Sequence, residues 1–393
     1  MTSTAKETSE APASGYTGLR ALTYGLPANA YFDATRHAAE LSHIWQRRWI
    51  YVCRAEELAA PRAFRSFEVG DQRLILVRGD DGRVRAFHNT CRHRGAALCR
   101  ESEGVLRSGT LVCPYHAWVY DLQGRLQRTS SKRLPEGFDV ADFPLYGVHL
   151  RDWRGFLFIC LAAVAPPFGE DFDAPLERFD AWPLEELRVG HVLEKSIRCN
   201  WKIFWENYNE CLHCPGVHPK LSQLVPIYGR GLLEEKDDPE WHRHAADPNP
   251  RFRGGLRQGA KTWSNSGELS GTAFPDVSAA DRKLGAIYLT GLPSMFLVGH
   301  ADYVRVVRLR PLGPEDTELR VEYLFAAATL AQPGFNPRDV VDFTNGVMTE
   351  DAEVCELNQR GLKAAPHRAG VVMPEEYVIG QFHAWIAAQL ARD

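Results

Sequence analysis

Two short stretches, Cys91-Arg92-His93-Arg94-Gly95 and Cys113-Pro114-Tyr115-His116-Ala117-Trp118, decide how the first half of this chain is read. Nineteen residues separate His93 from Cys113, so a C-x-H arm is followed by a C-x-x-H arm. Two thiolates and two imidazoles can hold one tetrahedral zinc or, in pairs, the two irons of a [2Fe–2S] cluster. Zinc knuckles usually open on C-x-x-C and close on H-x₃₋₅-H, whereas each arm here mixes one Cys with one His. Mixed arms suit two facing loops that each give a thiolate to one iron and an imidazole to the other. The pattern favours iron–sulfur over zinc.

Around these boxes lie short, partly alternating strands: Phe64 to Val69, Arg73 to Arg78 and Arg83 to His88, with Gly70-Asp71 and Asp80-Asp81-Gly82 as turns. More follow at Leu111 to Cys113, Trp118 to Tyr120 and Phe156 to Cys160. Residues 49–165 therefore read as one small all-β module that exits at Pro166-Pro167. Upstream, residues 1–17 read as a flexible tail rich in Ser, Thr, Ala and Glu. Between Asp33 and Ile50 the apolar positions Ala38, Leu41, Ile44, Trp45 and Trp49 recur at helical spacing. Downstream, Asn200 is a helix cap, and Trp201, Phe204, Trp205, Tyr208, Cys211 and Leu212 form one apolar stripe. Residues 225–275 read as extended loops. Strands are predicted near 286–290, 295–298, 303–309 and 319–325, and helices from Pro337 to Leu362 and from Glu375 to Ala391. With residues 18–48 joined to 166–393, this second part is an α+β domain.

A second constellation stands on the Asn200 helix: Glu210-Cys211-Leu212-His213-Cys214-Pro215-Gly216-Val217-His218. Glu210 and His213, three apart, are expected on one helical face. Pro215-Gly216 is expected to end the helix so that His218 swings back. Two histidines and a remote carboxylate make the facial triad of oxygen-activating non-haem iron. Taken alone, the two histidines fit a helix end without a metal equally well. The carboxylate is sought on the helix after Pro337, where Val347, Asp351, Val354 and Asn358 share a face; Glu350 and Glu353 are expected to point into solvent. Cys211 and Cys214 are expected to pack as small core residues.

The two boxes resemble those of Rieske [2Fe–2S] domains in ring-hydroxylating-type oxygenases. E-C-x-H-x₄-H, with Glu350-Asp351 ahead of Cys355-Glu356 and Gln359, is similar to the catalytic half of the same family. The resemblance implies a small all-β Rieske domain plus a helix-grip (START-like) catalytic domain with a central antiparallel sheet. It implies Cys91 and Cys113 on one iron of the cluster, His93 and His116 on the other, and a mononuclear Fe(II) on His213, His218 and Asp351. Glu210 matches the acidic residue that bridges the cluster histidine and an iron-ligand histidine. Ala117 departs from the Gly common after the second box histidine. A homotrimer is implied, in which the cluster of one subunit faces the iron of the next. The chain has no Gly-rich nucleotide fingerprint and no further cysteine quartet. NAD(P)H electrons are therefore expected through a separate reductase with flavin and plant-type ferredoxin.

The Glu version of the bridge and the ENYxEC pattern look like members acting on carnitine, glycine betaine or similar methylammonium compounds. That favours N-demethylation or C–N cleavage by monooxygenation; hydroxylation or O-demethylation of an aromatic compound is the alternative. Aromatic candidates for the pocket are Trp263, Tyr288, Phe296, Tyr303 and Tyr323, with Phe325 and Trp385. Such rings hold a quaternary ammonium by cation–π attraction or sandwich an arene. A bare electron carrier would need no second histidine motif.

Composition bounds the partners. The 393 residues include 46 Lys and Arg against 50 Asp and Glu, a net charge of −4 that argues against a sequence-independent grip on nucleic acid. The start lacks the apolar core of a secretory signal, and the apolar run Leu324 to Leu330 is far short of the ~20 residues a spanning helix needs. A soluble, cytoplasmic protein without a membrane partner is expected. The nine cysteines are read as core residues or metal ligands rather than disulfides. Arg92, Arg94, Arg100 and Arg107 crowd the boxes, either to dock an acidic electron donor or as ordinary solvated arginines.

Overall fold

A computed structural model describes residues 14–392. Most of the expected tail, 1–17, lies outside the described residues. At its end Thr17 donates its amide to the Lys236 carbonyl (3.1 Å) and its hydroxyl to Asp237 (2.7 Å).

The first half builds a seven-stranded antiparallel sheet in the order Ile50–Arg54, Phe156–Cys160, Gly147–Trp153, Val84–His88, Gln72–Arg78, Ala63–Val69, Glu103–Val105. Beside it lies a three-stranded sheet of Thr110–Val112, Val119–Asp121 and Leu126–Arg128. The predicted turns at Gly70 and Gly82 are made with φ of 59° and 75°, a region that glycine enters freely.

Within Gln72–Arg78 the run Leu74-Ile75-Leu76-Val77 is buried throughout, because alternate side chains enter two different cores. Ile75 and Val77 face the boxes, in a core with Phe87, Cys91, Leu111, Cys113 and Trp118. Leu74 and Leu76 face the second half, in a core that also holds Trp201, Phe204, Phe296, Val307 and Val341. The two halves are thus joined by side-chain packing as well as by the chain.

The second half carries a five-stranded antiparallel sheet in the order Leu187–Ile197, Asp316–Ala326, Tyr303–Gly313, Met295–Gly299, Ile287–Gly291. Its inner face, with Phe296, Val298, Val307 and Phe325, shares a core with the long helix Arg338–Gly361 and the helix Trp201–Tyr208. Its outer face, with Leu297, Val304, Val306 and Leu324, is covered by Phe179, Trp182 and Phe274. The N-terminal segment packs on this half. Thr23–Pro27 pairs with Ala369–Val372, Trp45 meets Trp201 edge-on at 5.4 Å, and buried Glu40 pairs with buried Lys202 at 2.6 Å. A small all-β module followed by a helix-covered antiparallel sheet is the expected architecture. Among the described residues no helix is long and apolar enough to cross a membrane.

Candidate functional site

The Asn200 side chain caps the helix Trp201–Tyr208 by accepting the Lys202 amide at 3.0 Å. The helix stops at Tyr208 rather than running on to Leu212. Glu210 and His213 therefore do not share a helical face. Instead the Glu210 carboxylate accepts the amides of Leu212 and His213 and caps the turn closed by Cys214 N on the Cys211 carbonyl, just ahead of the helical turn Cys214–Val217. Pro215-Gly216, expected to end a helix, sits inside that turn, where the missing proline amide costs nothing. His218 falls between this turn and the helix Pro219–Leu224.

Three donor atoms meet as a result. His213 Nε2 and His218 Nε2 are 3.2 Å apart, and Asp351 Oδ1 lies 2.9 Å from His218 Nε2 and 3.4 Å from His213 Nε2. Neighbouring ligands on an ion with bonds of about 2.1 Å stand about 3 Å apart, so these spacings fit one ion. The outer ring atoms agree. His213 Nδ1 is hydrogen-bonded to Glu210, and His218 Nδ1 donates to Glu350 at 2.7 Å. With Nδ1 protonated, each Nε2 presents a lone pair to the common point. Burial pushes both imidazoles down, yet Asp351 and Glu210 raise His213 to about 9, and Asp351 and Glu350 raise His218. Burial pushes Asp351 up, but the two histidines hold it below the usual carboxylate range. Two imidazoles and a carboxylate in negative surroundings fit Fe(II).

Two expectations are corrected here. Glu353 faces solvent as expected, but Glu350, with its side chain still 38% exposed, turns one carboxylate oxygen onto His218. One residue before Asp351, it is rotated by about 100° around the helix, toward the side from which His218 arrives. Cys211 and Cys214 are buried in a core with Leu221, Leu224 and Trp263, as expected, but they form a disulfide. The turn that Glu210 caps sets their Cα atoms 5.0 Å apart, within the range a disulfide spans.

The box loops are built alike. The Cys91 carbonyl accepts the Gly95 amide at 2.9 Å and the Cys113 carbonyl the Ala117 amide at 3.0 Å. Cys91 N donates to the Ala96 carbonyl at 2.9 Å, and Cys113 N to that of Trp118 at 2.8 Å. Both thiols are buried, while His93 and His116 lie nearer the surface with ring centroids 4.7 Å apart. His93 stacks on Trp118, and the Tyr120 hydroxyl is 3.3 Å from Cys91 Sγ. His116 Nδ1 is buried without a hydrogen-bond partner, as a ligand atom reserved for iron would be. This donor set fits a [2Fe–2S] cluster.

A cavity of about 380 Å³ is lined by His213, His218 and Asp351 together with Trp263, Tyr288 and Phe296, three of the predicted substrate contacts. Tyr303 and Tyr323 are not on its wall. Their hydroxyls bond the Trp263 carbonyl (2.9 Å) and the Thr344 hydroxyl (2.7 Å), and both rings are wholly buried. Phe325 packs on Tyr303 and Phe335, and Trp385 donates to Asp171 at 2.9 Å, so neither belongs to the wall. Sequence reasoning missed Asp173, Phe204, Tyr208, Tyr228, Thr290 and Arg305, which do line it. Phe204 and Tyr208 were visible on the helix stripe. Arg305 was visible as a cation in an otherwise apolar inward row, whereas Tyr228 sits where no periodicity exists to read.

Residues 48–143 match the Rieske [2Fe-2S] domain family, and residues 176–392 the ring hydroxylating alpha subunit (catalytic domain) family. The chain is 30% identical to the glycine betaine monooxygenase oxygenase subunit of Chromohalobacter salexigens, over 88% of this chain and 81% of that one. It is 24% identical to the chloroplastic choline monooxygenase of Spinacia oleracea, over 93% of this chain and 78% of that one. Its fold is similar to that of a quaternary ammonium Rieske monooxygenase solved in complex with L-carnitine, with a TM-score of 0.69, 22% identity, and 94% and 96% of the two chains covered.

Proposed function

This chain belongs to the ring-hydroxylating alpha-subunit family, and from that premise we propose that it monooxygenates a small quaternary ammonium compound by N-demethylation or C–N cleavage. As a member it is an oxidoreductase with a Rieske [2Fe–2S] cluster and a mononuclear iron, supplied with NAD(P)H electrons by a partner reductase.

The observation that carries the substrate reading is the cavity. The rings of Tyr208, Tyr228, Trp263, Tyr288 and Phe296 line the same space as His213, His218 and Asp351. Each desolvated ring face attracts a methylammonium by about 0.5–2 kcal/mol. The balance for N-demethylation is an N-methyl group, O₂, two electrons and two protons giving N-hydroxymethyl and water. The N-hydroxymethyl group then breaks its C–N bond to release formaldehyde, a proton and the tertiary amine. Iron bound at the triad supplies the activation of O₂.

In this reading His213, His218 and Asp351 hold the iron, and Cys91, Cys113, His93 and His116 hold the cluster. Glu210 fixes the His213 tautomer and joins that imidazole to the cluster histidines of a neighbouring subunit in a homotrimer. The Rieske domain spans 49–165 and the iron domain 18–48 with 166–393. The reductase is of the flavin and ferredoxin type, and the arginines around the boxes meet its acidic face.

The test is formaldehyde release with oxygen uptake from the reconstituted holoenzyme, using a surrogate reductase and NADH. Equal formaldehyde and oxygen on a trimethylammonium compound supports the reading. Coupled uptake with aromatic acids or aryl methyl ethers alone overturns it.

A further inference from the structure

Arg305 lies on Tyr303–Gly313, the central strand of the five-stranded sheet, between Val298 and Tyr323 on the neighbouring strands. Its row, with Tyr303, Val307 and Leu309, points into the core, and Arg305 itself is only 5% exposed. It is also part of the cavity wall.

The other buried arginines are all matched. Arg48 meets Glu170 and Asp171, Arg54 donates to the carbonyls of Arg154 and Leu184, Arg308 meets Glu318, and Arg320 meets Glu57, Glu194 and Glu322. Arg305 has no ion pair and no hydrogen bond among the described residues. Its Nε is buried and unsatisfied, as are those of Arg48, Arg54 and Arg308. Among the described residues, Arg305 alone of the five buried arginines has no partner on its terminal nitrogens either. Its guanidinium carbon stands 5.9 Å from the Phe296 centroid. A guanidinium cannot shed its proton to escape this environment. A buried charge without a partner is strongly unfavourable, so the counter-charge has to come from what fills the cavity.

Three of the four acids of the wall are already engaged: Asp173 accepts the Thr290 amide at 2.8 Å, Glu210 serves Leu212 and His213, and Asp351 serves both histidines. The fourth, Glu234, makes no ion pair with Arg305. The groups whose titration Arg305 influences are five tyrosines held protonated by burial, Tyr208, Tyr228, Tyr288, Tyr303 and Tyr323, and His300, whose burial favours the neutral imidazole.

We propose that Arg305 is the anion anchor of the cavity, so that the substrate is a zwitterion whose carboxylate pairs with Arg305 while its trimethylammonium end occupies the aromatic wall. The ammonium half of this statement rests on the function proposed above; the carboxylate half does not. Arg305 thereby separates substrates that a trimethylammonium group alone cannot. Choline, a cation with no carboxylate, leaves Arg305 unpaired and adds a like charge to the same enclosed space.

The experiment compares glycine betaine, L-carnitine and γ-butyrobetaine with choline on the holoenzyme, measuring kcat and KM by substrate-coupled oxygen uptake with formaldehyde or trimethylamine quantified as the product. The expected result is a kcat/KM for at least one carboxylated compound about 100-fold above choline, carried by KM, the scale set by removing one partner of a buried charge pair. Arg305→Gln is expected to collapse that ratio toward one with cluster and iron content unchanged, and Arg305→Lys to restore part of it. A structural role would lower turnover of all compounds together and leave the ratio intact. If Arg305→Gln does not fold, the wild-type ratio decides. Choline used as well as the carboxylated compounds overturns the anchor, as does a ratio that survives in Arg305→Gln. Turnover only of an aromatic carboxylate, with a KM that rises in Arg305→Gln, overturns the ammonium reading and supports the anchor.

Discussion

Two glutamates hold the two imidazoles of the iron site from behind, and they differ in what else they touch. Glu350 meets His218 Nδ1 from the long helix, whereas Glu210 meets His213 Nδ1 while capping the turn that carries it. Replacing Glu350 with Gln removes a carboxylate behind one ligand. Iron affinity is expected to fall about 10- to 100-fold, read as iron lost to a chelator in dialysis while the cluster absorbance stays. Replacing Glu210 with Gln keeps a group that can accept the same amides and the imidazole proton. Both metals are expected to remain bound while NADH-driven turnover stops, and normal turnover in a fully loaded variant would dismiss the bridge. Asp351 and Glu210 could be found in the sequence because each sits at a fixed spacing from a motif. Glu350 could not. Its role depends on the side from which His218 returns, which is set by the cap at Glu210 and the two short helices that follow, and neither has a periodic signature.

At the scale of elements, the two box loops share one backbone design under unequal sequences, with the histidine one residue later in the second. The fifth residue of each loop is left-handed: Gly95 at φ 76° and Ala117 at φ 51°. A methyl-bearing residue is strained there by about 1–2 kcal/mol, and Ala117 is exposed, so its methyl gains little packing in return. Ala117→Gly is therefore expected to stabilise the loop by about 0.5–1 kcal/mol, after the larger chain entropy that glycine loses. Thermal bleaching of the cluster absorbance should shift upward, with the same spectrum at low temperature; a downward shift would mean that the methyl is needed. The hairpin strands around the boxes, four strands of the second sheet and both long helices were legible because alternation and helical spacing are local. Leu187–Ile197, half-buried along most of its length, shows no clean alternation and went unread. The end of the Asn200 helix was not legible either, since its apolar stripe continues past Tyr208 while the Glu210 carboxylate claims the amides that a continuing helix would have used.

At the scale of the whole molecule, the proposed relay between subunits has a direct test. Cys113→Ser removes a cluster thiolate and Asp351→Ala an iron ligand, and each chain alone is expected to be inactive. Co-expressed, they should regain about a quarter of wild-type activity, because random closed trimers join an intact cluster to an intact iron at that fraction of interfaces. The same chains purified apart and mixed without exchange should stay silent, and silence after co-expression would place the relay within one chain. Two motifs in order revealed the two-part plan in the sequence. The contact between the parts was hidden, because the run at Leu74 to Val77 shows only that the strand is buried, not that its two faces serve different cores. That shared packing has a consequence for recombination. A Rieske module transplanted from a relative would bring foreign side chains at Leu74 and Leu76 into the core that also holds Trp201 and Phe296, so the graft has to be matched along the whole seam. A new electron donor is more simply accommodated at Arg94, which is exposed over Tyr115 of the second box loop and leaves the seam untouched.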